Sequence, residues 1–323
     1  MKTYLDKNVY EAALERIAYC FQEFDNVLVA FSGGKDSGVL LNLCYNYADE
    51  HGLLDKLTMY HLDYEAQYQM TTEYVTRTFL EQFPGIRKMW YCVPIKAQSA
   101  CALGEPYWTP WDAAKKKLWV RAMPENPYVV HEGNLDVPFR HGMVDYEFQD
   151  KLSRHFAKKR GTTAVMVGLR ADESLNRYAA VARGKKRRSY EGRKWITQTS
   201  AVTANVYPLY DWRVSDIWTA TARFGFDYNR LYDLLYQAGL TAGQMRVASP
   251  FNDCAQESLK LYKVIDPSNW ARMIGRVNGA NFAALYGRTA AAGWQSVKLP
   301  KGMTWEGYMH FPVSYTHLRA HET

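Results

Sequence analysis

The chain has 323 residues, of which 47% are hydrophobic and 23% charged, so it is long enough for one large domain or two and is neither mainly disordered nor collagen-like. It contains no run of about 18 apolar residues, which excludes a membrane-spanning helix. The formal charge of +7 is local: Lys185, Lys186, Arg187, Arg188, Arg193 and Lys194, set against Glu191, carry five of those seven units. Such a run points to a phosphate-bearing ligand, a nucleic acid or an acidic protein partner, or else is a solvated loop.

In chain order, Leu5, Val9, Ala13 and Ile17 are interleaved with Asp6, Glu11 and Glu15. This predicts an amphipathic N-terminal helix within residues 1–24, not a secretory signal, so the chain reads as cytoplasmic. Residues 27–31, VLVAF, have the length of a buried parallel strand, and Val39, Leu40, Leu41, Leu43 and Cys44 suit the buried side of a following helix. A second strand is predicted at 57–62, a helix at 71–83 and a third strand at 89–93. Alternating strand and helix predicts an α/β fold, a doubly wound parallel sheet with right-handed crossovers.

Residues 96–150 interrupt the alternation as an aromatic, Pro-containing insertion. Within it Thr109-Pro110-Trp111-Asp112 reads as a cap, a proline at the first helical position and an acid in the first turn. The predicted helix places Trp111, Ala114, Leu118 and Ala122 on one apolar face and leaves Lys115, Lys116 and Lys117 outside. It either packs on the sheet domain or serves as a substrate lid. Strands resume at 164–169 and 204–209, and a helix opening at Ser215 is closed by Gly225. Residues 25–228 are thus expected to form one domain, and 229–313 an appended, mainly helical region. The last segment, 314–323, reads SYTHLRAHET and resembles translated adapter or vector sequence, with the natural chain expected to continue past Val313.

The five cysteines, at positions 20, 44, 92, 101 and 254, form no C-x-x-C pair and no even set. Neither a zinc site nor a Cys-ligated iron–sulfur cluster is expected. Aromatic residues reach 15%, with 24 Tyr and 10 Trp, and supply flat surfaces that pack in a core or stack on a base.

The chemistry concentrates at Ser32-Gly33-Gly34-Lys35-Asp36-Ser37, between a strand and a helix. Paired glycines allow torsions closed to other residues, and the helix start offers free N–H groups and a positive dipole end, a geometry that binds phosphate. Ser32 and Ser37 add hydroxyls, Lys35 adds a cation, and Asp36 can help to hold Mg²⁺. The ordinary G-x-x-x-x-G-K-[ST] loop is not matched, nor is G-x-G-x-x-G; a purely structural Gly-Gly turn is the plain alternative.

SGGKDS after an apolar strand resembles the PP-loop of the adenine-nucleotide alpha hydrolases. Three further segments narrow the resemblance to the branch of phosphoadenosine phosphosulfate (PAPS) reductase and the small subunit of ATP sulfurylase. They are His61-Leu62-Asp63-Tyr64-Glu65; Gly168-Leu169-Arg170-Ala171-Asp172-Glu173-Ser174 with Arg177; and Tyr207-Pro208-Leu209-Tyr210-Asp211-Trp212 with Asp216-Ile217-Trp218. The resemblance covers residues 25–220. It implies ATP or PAPS as ligand, with Mg²⁺, and cleavage of ATP between the α and β phosphates to adenylate an acceptor. By residue type, Arg170 and Arg177 can grip phosphate or sulfate oxygens, and Asp172 or Glu173 can orient them or a metal. An exposed ion-pair set is the structural alternative for these four. Asp63 binds metal or ribose, or caps the next helix, and residues 211–218 read as a structural unit.

Lys35, Asp36 and Arg170 are therefore the catalytic candidates; Ser32, Gly33, Gly34, Ser37, Asp63 and Arg177 complete the phosphate set, and Asp36 with Asp172 the metal set. The reductases' C-terminal E-C-G-[IL]-H motif is absent, and Cys254 sits in Phe251-Asn252-Asp253-Cys254-Ala255 instead. The chain is similar to the PAPS-reductase-like subgroup that includes the immunoglobulin-binding regulator A type. PAPS reduction and nucleotide-dependent regulation, or association with nucleic acid, stand as alternative functions, and self-association into a homo-oligomer is compatible with the sequence.

Overall fold

The computed structural model describes residues 6–102, 104–182, 189–287 and 304, without the side chain of Cys254 among a few others. Contacts divide the chain into Met1–Ala284 and Leu285–Thr323, and the sheet with its covering helices lies in the first unit. Lys185, Lys186, Arg187 and Arg188 and the segment 314–323 lie outside the described residues.

Helix α1 (Val9–Glu23) starts at a capping box in which Asn8 and Glu11 satisfy each other's backbone N–H. Then come β1 (Asn26–Ala30), α2 (Lys35–Glu50), β2 (Leu57–Leu62), α3 (Gln69–Glu81) and β3 (Arg87–Cys92). The insertion contributes β4 (Ala97–Gln98), β5 (Tyr107–Trp108) and β6 (Val129–His131). Beyond it run α4 (Asp145–Arg160), β7 (Thr163–Val167), α5 (Leu175–Ala182), β8 (Ser189–Tyr190), β9 (Arg193–Gln198), β10 (Thr203–Val206) and α6 (Val214–Phe224). The described chain closes with α7 (Leu231–Gln237), α8 (Gln256–Ile265), α9 (Pro267–Arg276) and α10 (Ala280–Tyr286).

The main sheet has eight strands in the order β6-β3-β2-β1-β7-β10-β9-β8. Six of them, from β6 to β10, run parallel, and β9 and β8 extend the edge antiparallel. Alternation along β1 sends Val27 and Val29 into a core shared with α1, α2, α3 and α6, and Leu28 into a second core with Phe148, Leu152 and Phe156 of α4. Helices on both faces make this a doubly wound α/β sheet, as expected. A third cluster joins Trp108 of the insertion to Leu231, Tyr232, Phe251, Tyr262 and Trp270 of the helices after 229.

Two expectations change. Arg193 and Lys194 belong to strand β9, hydrogen-bonded to β10 and β8, so this end of the basic run is not the solvated loop that is one of its readings in the sequence. The α-helix expected from Thr109 does not form. Trp111 takes a left-handed φ of 55°, Asp112 caps a short 3₁₀ segment at Ala113–Leu118, and Leu118 is exposed. The physical cause is a buried carboxylate. Glu65 accepts the backbone N–H of Trp111 at 2.6 Å and of Val120 at 3.0 Å, and these tertiary bonds outweigh local helix propensity.

Candidate functional site

Strand order reverses between β1 and β7, so the crossovers from these neighbours leave to opposite sides and open a crevice at their carboxyl ends. The turn from β1 into the start of α2 is Ser32 to Ser37; the segment from β7 into the first turn of α5 is Gly168 to Arg177. Topology thus brings together two segments that lie more than a hundred residues apart.

Gly33 has φ +76°, and a Cβ there would lie 2.9 Å from Val75 of α3, so torsion and space both require glycine. Gly34 is the N-cap of α2, with Lys35 as its first helical residue. The Ser37 hydroxyl donates to the Gly34 carbonyl at 3.0 Å and accepts the Ser32 N–H at 3.1 Å, which closes the loop on itself. Ser32 remains exposed at its rim. A Cβ on Gly168 would meet the backbone of Asp36 and Ser37 at 3.0 Å. This glycine therefore lets the β7 loop touch the start of α2.

Arg170 extends the contact. Its side chain is 4% exposed, and its guanidinium is hydrogen-bonded to Asp36 and Asp172. Glu173 lies 3.7 Å from Arg170 and also pairs with Arg177 and, at 3.2 Å, with Arg246. The Lys35 ammonium is 2.9 Å from the other Asp36 oxygen. Burial alone would raise the Asp36 carboxyl, but Lys35 and Arg170 outweigh it and hold the group below the usual carboxylate value. Burial would likewise lower the Arg170 guanidinium, and its carboxylate neighbours, Asp36 foremost, raise it instead. The result is a fixed, cation-rich lattice at the positive end of α2.

Sequence reasoning missed the residues that cover this loop. Tyr232, on α7, accepts the Lys35 N–H on its hydroxyl at 3.2 Å, and its ring lies 5.3 Å from the Lys35 ammonium. Asn229, fully buried, donates to the Gly33 carbonyl at 3.2 Å and to Thr71 at 2.9 Å. With Arg246 they show that the region after 229 is part of this site's surroundings. An asparagine or tyrosine in a helical region carries no local signal of such a contact.

Asp63 does not face the crevice opening. It is fully buried, accepts the Glu65 N–H at 2.8 Å and the Trp90 indole N–H at 2.7 Å, and is paired with Arg121. Burial opposes its ionisation, but Arg121 and His61 hold its carboxyl below the usual value. These partners use the oxygens that a metal or ribose would need, so Asp63 acts here as an internal anchor for the insertion. Asp211 is likewise structural: it takes a two-pronged contact from Arg16 of α1 at 2.8 and 2.7 Å, and the Trp212 indole donates to the Val9 carbonyl.

As for Mg²⁺, both Asp36 oxygens already accept from cations and Asp172 accepts from Arg170. Among the described residues no group of three or more His, Cys, Asp or Glu side chains converges in a way that could hold a metal ion. In this arrangement Asp36 has no oxygen free for Mg²⁺, and of the expected pair only the second oxygen of Asp172 is without a protein partner among the described residues.

Residues 26–238 match the phosphoadenosine phosphosulfate reductase domain, and residues 239–322 match a domain of unknown function, DUF3440. The uncharacterized protein YbdN of Escherichia coli (strain K12) is 33% identical over 309 residues, 94% of this chain and 74% of YbdN. Among solved structures, a PAPS reductase from Candida auris in a phosphate complex is 13% identical, with a TM-score of 0.40, over 77% of this chain and 97% of that one. The FMN adenylyltransferase of Candida glabrata with FAD and inorganic pyrophosphate is 14% identical, with a TM-score of 0.40, over 71% of this chain and 64% of that one. The family match spans well over half the chain, and the chain belongs to the phosphoadenosine phosphosulfate reductase domain family.

Proposed function

We propose that the loop from Ser32 to Ser37 holds the phosphates of an adenine nucleotide, ATP or PAPS, and that the protein adenylates an acceptor at the expense of ATP. One observation carries this reading: Gly168 packs against the start of α2 while Arg170 grips Asp36, so two loops form one rigid, charge-paired cradle at the switch point. In the proposed reaction an acceptor oxygen or nitrogen attacks the α-phosphorus in line. The new bond to phosphorus forms as the bond to the α,β-bridging oxygen breaks, and pyrophosphate departs with that electron pair. The loop N–H groups and Lys35 would hold the departing phosphates, and Arg170 would neutralise developing charge. No step is assigned to a metal ion. For phosphate to reach the Lys35 N–H, the Tyr232 hydroxyl must leave it.

Reduction of PAPS would need an accessible thiolate. Cys20, Cys44, Cys92 and Cys101 are buried, and burial raises each thiol above its ordinary value, Cys101 to about 11. That leaves Cys254, whose side chain lies outside the described residues. Product analysis with α- and γ-labelled ATP tests the proposal: label must appear in an adenylated product and in pyrophosphate respectively. Sulfite release from PAPS that disappears in Cys254→Ser would replace adenylation by reduction. Tight nucleotide binding without turnover of either would point to a regulator.

A further inference from the structure

Away from the Ser32 loop, the insertion, strand β6 and helix α9 enclose an open groove of about 840 Å³. We propose that this groove is a second anion site, which takes the phosphate of a nucleotide, either free or within a single strand of nucleic acid. Lys116, Lys117, Arg121 and Arg272 line it, with Glu125 as the one acid on its walls. Among the described residues no carboxylate pairs with Lys116, Lys117 or Arg272, so their charge is left for a ligand. A concave, low-dielectric wall focuses such charge more than a flat surface does.

Two walls are built rather than loosely solvated. Arg121 has a side chain only 9% exposed, is paired with buried Asp63, and lies 5.0 Å over the Trp111 ring; its Nε has no hydrogen-bond partner. A guanidinium fixed in this way holds the wall in place, and the charge open to a ligand is that of Lys116, Lys117 and Arg272. Trp119 is held by its indole N–H on the Asp112 carbonyl at 2.9 Å and by an edge-on contact with Trp111 at 5.1 Å. The Lys116 ammonium lies 5.7 Å from the Trp119 ring centre. Aromatic face and cation side by side are the elements that stack a base and grip its phosphate, and the volume falls in the range of about 300 to 1,000 Å³ typical of ligand pockets.

This inference does not rest on the Ser32 loop, nor on the basic run, and the test separates all three. Fluorescence anisotropy of a short labelled single-stranded RNA is followed in the parent protein, in Lys117→Glu with Arg272→Glu, in Trp119→Leu, in Gly34→Val, and in a variant with Lys185 to Arg188 replaced by Ser. Circular dichroism checks folding. The charge-reversed variant should bind at least about tenfold more weakly and lose about 1.4 from its log–log salt slope, on the order of 0.7 for each phosphate contact to a single strand. Trp119→Leu should weaken binding by about fivefold or more, the loss of one stacking platform, and Gly34→Val should leave it unchanged. The same variants are titrated with ATP in the Gly34→Val background. ATP that displaces the RNA identifies a free nucleotide as the ligand, and RNA retained against ATP identifies the strand. If neither probe binds at low salt, or if binding survives in the charge-reversed variant, the groove is not an anion site.

Discussion

Replacing Glu65 with Gln tests the junction between the sheet, the insertion and the C-terminal helices. Glu65 is fully buried. Its two oxygens accept four hydrogen bonds: from the backbone of Trp111 and Val120 at 2.6 and 3.0 Å, and from Arg276 of α9 at 2.8 and 3.0 Å. The Arg276 side chain is only 2% exposed, so water cannot replace a lost counter-charge. Breaking a buried pair from one side costs about 3–5 kcal/mol, and the new amide must turn its NH₂ toward a donor, adding ~1 kcal/mol. The Gln carbonyl keeps part of the pattern, which brings the expected loss to about 4 kcal/mol. Urea denaturation followed by tryptophan fluorescence measures it. Adding Arg276→Met removes the orphaned charge, so the double variant should be more stable than Glu65→Gln alone. A loss below about 1 kcal/mol, or a double variant no better than the single, would refute the view that this pair is an isolated buried charge couple.

Tyr232→Phe frees the Lys35 N–H, and nucleotide affinity measured by calorimetry should rise about threefold to tenfold, the equivalent of one neutral hydrogen bond; equal or weaker binding would show that Tyr232 does not compete with phosphate. Gly34→Val should abolish nucleotide binding in a folded protein, because even a Cβ there lies 3.2 Å from the Ser32 hydroxyl and 3.3 Å from the Tyr232 hydroxyl; unchanged affinity would remove the loop from the site. Gly168→Ala should cost about 1–3 kcal/mol by crowding and also weaken nucleotide binding, and parent-like values for both would refute the close docking of the two loops. Asp36 is held below its unfolded value, so its pairing stabilises the fold above that value and the contribution is lost as pH falls through the folded one. Asp36→Asn should therefore be less stable at neutral pH and show a shallower loss in acid, below about pH 4; an unchanged acid profile would contradict the lowered carboxyl.

The elements legible from sequence alone were those whose cause is local. The apolar run of β1, the doubled glycine after it and the amphipathic pattern of α1 depend on a few neighbouring side chains and on backbone torsions, and they appear where expected. Strand–helix alternation determined the sheet class for the same reason, because a crossover of helix length admits little besides a parallel pair. Strands β6, β8 and β9 were not legible: β6 and β8 have only three and two residues, β9 is largely polar, and all three are stabilised by the sheet they join. The site divides in the same way. Lys35 and Asp36 are adjacent in the chain, but the contact of Asp36 with Arg170 spans 134 positions, and those of Lys35 with Tyr232 and Gly33 with Asn229 span nearly 200. Only the order of strands brings such residues together, and only burial decides what they do. Asp63 reads in the sequence as a metal or ribose ligand or a helix cap, and its enclosure with Arg121, like that of Glu65 with Arg276, makes it an internal anchor instead. A charge removed from water must find a partner wherever the fold supplies one, and that choice is made by the tertiary structure.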